Sequence, residues 1–189
     1  MTDNQMTERE LVTESLQGNR YAFAQLVEQN YMVVYKFAYK FLGNKSDAED
    51  VTQNVLVKLI DKLDQFDFQS AFTTWLYKIV LNTARDYMRQ KNRQSGREVE
   101  MFDDADYGAA GTDHIEPERQ MAAKEMLKWV DHLPDKLRET VILIFWEGVT
   151  HAQAADILEC KEGTISARIH DARKILNEKL EKEGGYKYG

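Results

Sequence analysis

Between Glu98 and Glu118 the chain reads EVEMFDDADYGAAGTDHIEPE, with eight carboxylates, no Lys or Arg and a run of small residues. A stretch so acidic and so poor in large apolar side chains cannot bury enough surface to offset the entropy of ordering it. It reads as a flexible linker, and the apolar residues on either side must then build separate cores. The expected organisation is one body over residues 7–95, an acidic linker over 96–117, and a second body over 118–182.

Charge follows the same division. The net charge of -7 argues at first against nucleic acid, but its distribution matters more. Residues 1–84 hold 8 basic and 11 acidic side chains, whereas RDYMRQKNRQSGR (85–97) holds 5 basic and 1 acidic. Residues 119–180 balance at 10 of each, so a basic strip lies between a near-neutral body and the acidic linker.

Composition favours helix throughout. The chain is 43% hydrophobic and 30% charged, rich in Leu, Ala, Glu, Lys and Gln, and its two prolines, Pro117 and Pro134, fall near expected boundaries. An all-α fold of two small helical domains follows. The single Cys160 excludes an internal disulfide framework and fits a reducing compartment. The polar start MTDNQMTERE is no signal peptide, and the longest apolar run, VILIFW, is too short to cross a bilayer. A soluble, cytoplasmic protein is expected.

Periodicity places the helices. Leu11, Leu16, Phe23, Leu26, Val27, Tyr31, Val34, Tyr35, Ala38 and Leu42 recur at helical spacing, with breaks at Gly18–Asn19 and at Gly43. Ser46 is the expected cap of the next helix, whose first turn carries Asp47, Glu49 and Asp50 and whose apolar face carries Val51, Val55, Leu59, Ile60 and Leu63. DQFDFQSAF is an aromatic loop, followed by a long helix with Phe72, Leu76, Ile79, Val80 and Thr83 facing inward. Helices resume near Glu118: EMLKWVDHL ends at Pro134, and DKLRETVILIFWEG is closed by Gly148. Thr150 and Gln153 offer a capping box, and the tail EKEGGYKYG is expected to be disordered.

Three segments carry candidate functions, each with a plainer alternative. Residues 150–158 and 163–180, joined by a turn over 159–162, form a helix-turn-helix packed through Ala154, Ala155, Ile157, Ile165, Ile169 and Ala172. Such a unit sets the start of its second helix against DNA base edges, although an ordinary helical hairpin has the same pattern. The aromatic loop and basic helix suit single-stranded nucleic acid, bases stacking on rings and cations meeting phosphates. Phe72 and Trp75 at helical spacing also suit a core. In DAEDVTQNVLVKLIDKL, the polar face Asp47, Glu49, Asp50, Gln53, Asn54 and Lys58 is either solvated or a docking surface. His114, His132, His151, His170 and Cys160 show no metal-ligand spacing, and no phosphate loop or nucleophile motif is present. No cofactor, metal or catalytic residue is expected.

Taken in order, DAEDVTQNVLVKL, FTTWLYKIVLNTARDYMRQKNR and EGVTHAQAADILECKEGTISARIHDARKIL resemble the extracytoplasmic-function (ECF, group IV) sigma factors of bacterial RNA polymerase, over roughly residues 21–180. The resemblance implies a sigma region 2 bundle at 7–95 and a region 4 helix-turn-helix at 118–182. It implies docking of Asp47, Glu49, Asp50, Gln53 and Asn54, with Lys58 on the same face, on the clamp helices of the largest polymerase subunit. It further implies that Asp67, Phe68, Gln69, Ser70 and Ala71 form a loop that captures a flipped-out -10 base. Asn82 would be its polar neighbour, and Trp75, Tyr77, Lys78, Arg85, Tyr87 and Arg89 would be strand contacts. Thr164, Ser166, Arg168, His170, Arg173 and Lys174 would meet the -35 duplex while region 4 docks on the flap of the second-largest subunit. The acidic linker would occupy a basic channel of the polymerase until RNA displaces it. An anti-sigma factor, which many members have, is a further implied partner.

Two departures from the family pattern stand out. Glu159 occupies a turn position where glycine is frequent, which implies a different or strained turn. Where GTVKSRLHRAR is common, this chain has GTISARIHDAR. Ser166, Ala167 and Asp171 thereby remove two positive charges and add a negative one, which should weaken -35 binding and flatten its salt dependence. Two other readings remain: a self-sufficient dimeric helix-turn-helix regulator, and an interaction module with a degenerate DNA helix held by an inhibitory partner.

Overall fold

The structure, a computed structural model, describes residues 6–95 and 129–182, and all the regular structure of these residues is helical. The acidic linker and the final seven residues lie outside the described residues. The chain divides into two compact units, Met1–Arg97 and Glu98–Gly189.

Among the described residues, the first unit contains four helices: α1 (Glu8–Leu16), α2 (Arg20–Leu42), α3 (Lys45–Lys62) and α4 (Phe72–Ser95), with a 3-10 turn (Leu63–Gln65) after α3. Helix α2 is central and packs on α1, α3 and α4, while α3 and α4 pack on each other. The core is Leu11, Leu26, Val34, Phe37, Phe41, Val51, Val55, Leu59, Phe72, Leu76 and Val80, all at most 2% exposed. Ile79 and Thr83 are buried beside them, as the inward face of α4 requires.

Sequence punctuation is honoured at both expected breaks. Gly18 takes φ +87°, and Asn19 caps α2 by accepting from the amides of Tyr21 and Ala22. Gly43, at φ +67°, closes α2. The cap of α3 differs from expectation. It is Asn44, whose side chain accepts from the Asp47 amide at 3.0 Å, so the helix starts early enough to absorb Ser46. Ile60 was expected inward and is 64% exposed, because Leu59 and Leu63 already occupy the inward stripe. Leu16 (43%) and Tyr31 (38%) also lie outside the core.

The second unit contains residues 129–131 of a helix, then α5 (Asp135–Val141), which continues as a π turn (Ile142–Trp146), then α6 (His151–Ile157) and α7 (Glu162–Lys182). Both α5 and α6 pack on α7. The extra residue of the π turn shifts the helical phase. Ile142 and Leu143 stay fully buried while Phe145 is 56% exposed. Gly148, at φ +66°, ends this element as expected. Glu181 and Lys182, expected in the disordered tail, belong to α7.

Candidate functional site

The docking candidates lie on α3. With Val51, Val55 and Leu59 turned inward, the helical period brings Glu49, Asp50, Gln53 and Asn54 to the surface, and all four are exposed. Asp47 and Lys58 belong to the same sequence run but face α4. The Tyr87 hydroxyl lies 2.8 Å from Asp47 Oδ1 and 3.2 Å from Asp50 Oδ2. Lys91 Nζ is 2.6 Å from Asp47 Oδ2, and Lys58 Nζ donates to Thr83 Oγ1 at 3.2 Å. Burial, then the hydrogen bond to Asp47, holds the Tyr87 hydroxyl well above its ordinary pKa, so it remains a donor. Beside this lock is a polar concavity of about 420 Å³, lined by Asp50, Gln53, Asn54, Tyr87, Gln90 and Lys91.

The loop before α4 is held in an uncommon shape. Asp67 Oδ1 accepts from the Gln69 amide at 3.0 Å, an Asx turn, and Phe68 between them takes φ +60°. A bulky side chain in the left-handed region is an outlier that persists only where its surroundings over-determine it. Aromatic packing does so here. The Phe66 ring lies 4.8 Å from Phe68 and 5.4 Å from both Phe72 and Trp75, centroid to centroid. Gln69 and Ala71 remain exposed, and Ser70 is half-buried.

Along α4, residues 71, 75, 78, 82, 85 and 89 follow alternating steps of four and three, so they share one stripe. Asn82 and Arg89 on it are exposed, and Trp75, Lys78 and Arg85 are half-buried. Arg85 Nη1 donates to Asn82 Oδ1 at 3.4 Å, and Arg89 pairs with Asp86 at 3.2 Å. Tyr77 does not lie on that stripe, which corrects the expectation that it contacts a strand. It aligns with Val80, Leu81 and Ala84, is 8% exposed, and packs on Phe37 at 4.8 Å. Tyr87 is likewise turned toward α3. Its lock with Asp47 and Lys91 joins α4 to a residue forty or more positions away, and no local pattern signals it.

In the second unit, Thr150 and Gln153 form the expected capping box at the start of α6. Ala154, Ala155, Ile157, Ile165, Ile169 and Ala172 are all buried between α6 and α7. Ser166, His170, Asp171, Arg173 and Lys174 are exposed on α7, whereas Thr164 and Arg168 are half-buried. Ser166 Oγ lies 3.3 Å from His151 Nδ1, tying the second helix to the first, and His170 Nδ1 is 3.5 Å from Asp171.

Known proteins match this architecture. Residues 26–94 match the family description Sigma-70 region 2, and residues 124–176 match Sigma-70, region 4. The ECF RNA polymerase sigma-E factor of Haemophilus influenzae is 31% identical over 184 residues, covering 94% of this chain and 97% of that protein. This chain belongs to the ECF sigma factors. The ECF RNA polymerase sigma factor SigW of Bacillus subtilis is 27% identical over 183 residues, covering 93% of this chain and 98% of that protein. Among solved structures, sigma factor RpoE in complex with the anti-sigma factor NepR from Bartonella quintana superposes with a TM-score of 0.64. It is 28% identical and covers 84% of this chain and 96% of that one. CnrH in complex with the cytosolic domain of CnrY shares the fold, with a TM-score of 0.67 at 24% identity over 93% of this chain and 97% of that one.

As an ECF sigma factor, the protein is a transcription-initiation factor that directs RNA polymerase to promoters. Among the described residues, no helix is long and apolar enough to cross a membrane. No group of three or more His, Cys, Asp or Glu among them is placed to hold a metal ion.

Proposed function

We propose that the two units divide promoter recognition between them, with residues 7–95 acting as region 2 and 118–182 as region 4, joined by the acidic linker 96–117. The exposed quartet Glu49, Asp50, Gln53 and Asn54 docks on the clamp helices of the largest polymerase subunit. Asp47, Lys58 and Tyr87 brace α3 against α4 behind that surface.

The loop 67–71 takes an unpaired -10 base, and Trp75, Lys78, Asn82, Arg85 and Arg89 track the strand. The observation that carries this reading is their common stripe, which runs continuously from the loop into the basic end of α4. A ring and cations in one line serve a single strand, where stacking supplies affinity and phosphates supply register. Unpairing a base costs about a few kcal/mol, which a pocket and several phosphate contacts offset.

In region 4, the exposed Ser166, His170, Arg173 and Lys174 meet the -35 duplex, with Thr164 and Arg168 at the helix-turn-helix seam. Asp171 on the same helix narrows what that face accepts. The protein works in the cytoplasm and carries no chemistry of its own. An anti-sigma factor controls it, as the complex of the Bartonella quintana relative with NepR suggests.

Run-off transcription from a promoter library, with the chain reconstituted on core polymerase, tests the division. Asp50→Lys is expected to weaken core binding while the isolated chain stays folded. Asn82→Ala is expected to slow promoter opening more than closed-complex formation. Equal loss in both steps would remove Asn82 from the melting role.

A further inference from the structure

Helix α1 lies before the region 2 match, which begins at residue 26, yet two adjacent residues of its first turn reach the promoter loop. The Arg9 guanidinium carbon sits 4.7 Å from the centroid of the Phe68 ring. The half-buried Glu8 carboxyl is pushed up by burial, and the backbone N–H of Phe72, the first residue of α4, pulls it back toward the charged form. Residues 67–71 are therefore held near both ends from one helical turn.

That turn is itself well fixed. Thr7 caps it with a reciprocal box, its Oγ1 accepting from the Glu10 amide at 3.3 Å and its own amide donating to Glu10 Oε2 at 2.8 Å. Leu11 and Val12, one turn on, are fully buried and anchor α1 in the bundle.

We propose that α1 is a positioning element for the promoter loop, with Arg9 holding the Phe68 ring and Glu8 fixing where α4 begins, so that base choice at the loop depends on a helix that need not touch DNA. The inference rests on the base-reading role proposed above for residues 67–71. Its physical basis is the left-handed backbone of Phe68. A bulky residue leaves that conformation readily unless its ring is held, and a cation over the ring face adds to the grip of Phe66. Glu8 acts on the other end of the segment. The first amides of a helix have no partner within it, and a carboxylate there is favoured by the helix dipole. Without that acceptor, the first turn of α4 frays into the loop and the register of Ala71 and Trp75 with it.

Two readouts test this on the full chain. Amide exchange over residues 66–72 of the free protein reports how firmly the loop is held. Binding of fork-junction DNA by the reconstituted holoenzyme, with each of the four bases in turn at the unpaired -10 positions, reports discrimination. Arg9→Ala is expected to speed exchange and to lower discrimination about two- to fivefold, the range of one exposed cation–ring contact. Core-polymerase affinity should not move. Arg9→Lys, which keeps a cation, should restore most of the loss, and Glu8→Gln should fall between. A double change in the loop, Gln69→Ala with Ser70→Ala, is the reference. If it erodes discrimination while Arg9→Ala and Glu8→Gln match the wild type, the positioning role is overturned and the loop's role stands. If the loop change itself leaves discrimination intact, the base-reading role fails, and the proposal fails with it.

Discussion

Helices α1 and α6 end in the same hydrogen-bond pattern but close it with different residues. After α1, the Asn19 amide donates to Glu14 O and the Gly18 amide to Ser15 O, a Schellman ending with glycine in the left-handed position. After α6, the Cys160 amide donates to Ala155 O and the Glu159 amide to Asp156 O, and the left-handed residue is Glu159 at φ +52°. The turn of the helix-turn-helix thus keeps a glycine-type geometry with a side chain in it, at a cost of roughly 1–2 kcal/mol. Glu159→Gly should stabilise the second unit by about 0.5–1 kcal/mol once glycine's larger unfolded-state entropy is subtracted. Urea unfolding of the full chain, followed at Trp129 and Trp146 in a Trp75→Phe background, checks this, and a lower midpoint would contradict it. Glu159 was legible in the sequence because a family turn supplies the expected glycine. Phe68 was not, since nothing in DQFDFQSAF announces a left-handed phenylalanine until the ring cluster around Phe66 is assembled.

Elements were legible where local chemistry decides them, and less so where a partner element does. The breaks at Gly18–Asn19 and Gly43 and the capping box of Thr150 are set by neighbours a few residues away, and each stands where the sequence puts it. Tyr77 and Ile60 are not decided locally. Which edge of an amphipathic stripe faces inward depends on the neighbouring helix, so Tyr77 turned to Phe37 while Ile60 was left outside. The same holds for Asp131, just before α5. Burial pushes its carboxyl up to about 7, against the pull of Arg138, whose own side chain is fully buried. In the unfolded chain the group titrates near its ordinary value of 3.8. Between those values the native state binds more protons than the unfolded one, so this carboxyl makes stability fall as pH rises from about 4 to about 7. The expected result is a falling urea midpoint for the second unit over that window, with the slope flattened in Asp131→Asn. An unchanged slope in the variant would place the titration elsewhere.

At the scale of the molecule, charge distribution explains why a protein of net charge -7 serves DNA. Its cations are concentrated over residues 85–97, toward the end of α4, and its carboxylates in the segment 98–118, while α3 and α7 are nearly balanced. Neither of the surfaces proposed to face DNA is uniformly basic: Asp86 lies against Arg89, and Asp171 sits among the cations of α7. On the proposed reading each surface alone makes few phosphate contacts, and affinity for DNA in that regime is low and only weakly dependent on salt. On the proposed division, holding the chain on polymerase lets both surfaces engage one promoter at once, and together they gain an affinity that neither has alone. The sequence conveyed this division through charge and periodicity, whereas the lock of Asp47 with Tyr87 and Lys91 emerged only from tertiary packing. A gel shift on promoter DNA with and without core polymerase tests this dependence on polymerase. The isolated chain is expected to give no specific shift, and a sequence-specific complex is expected once core polymerase is added. Tight, sequence-specific binding by the isolated chain would contradict it.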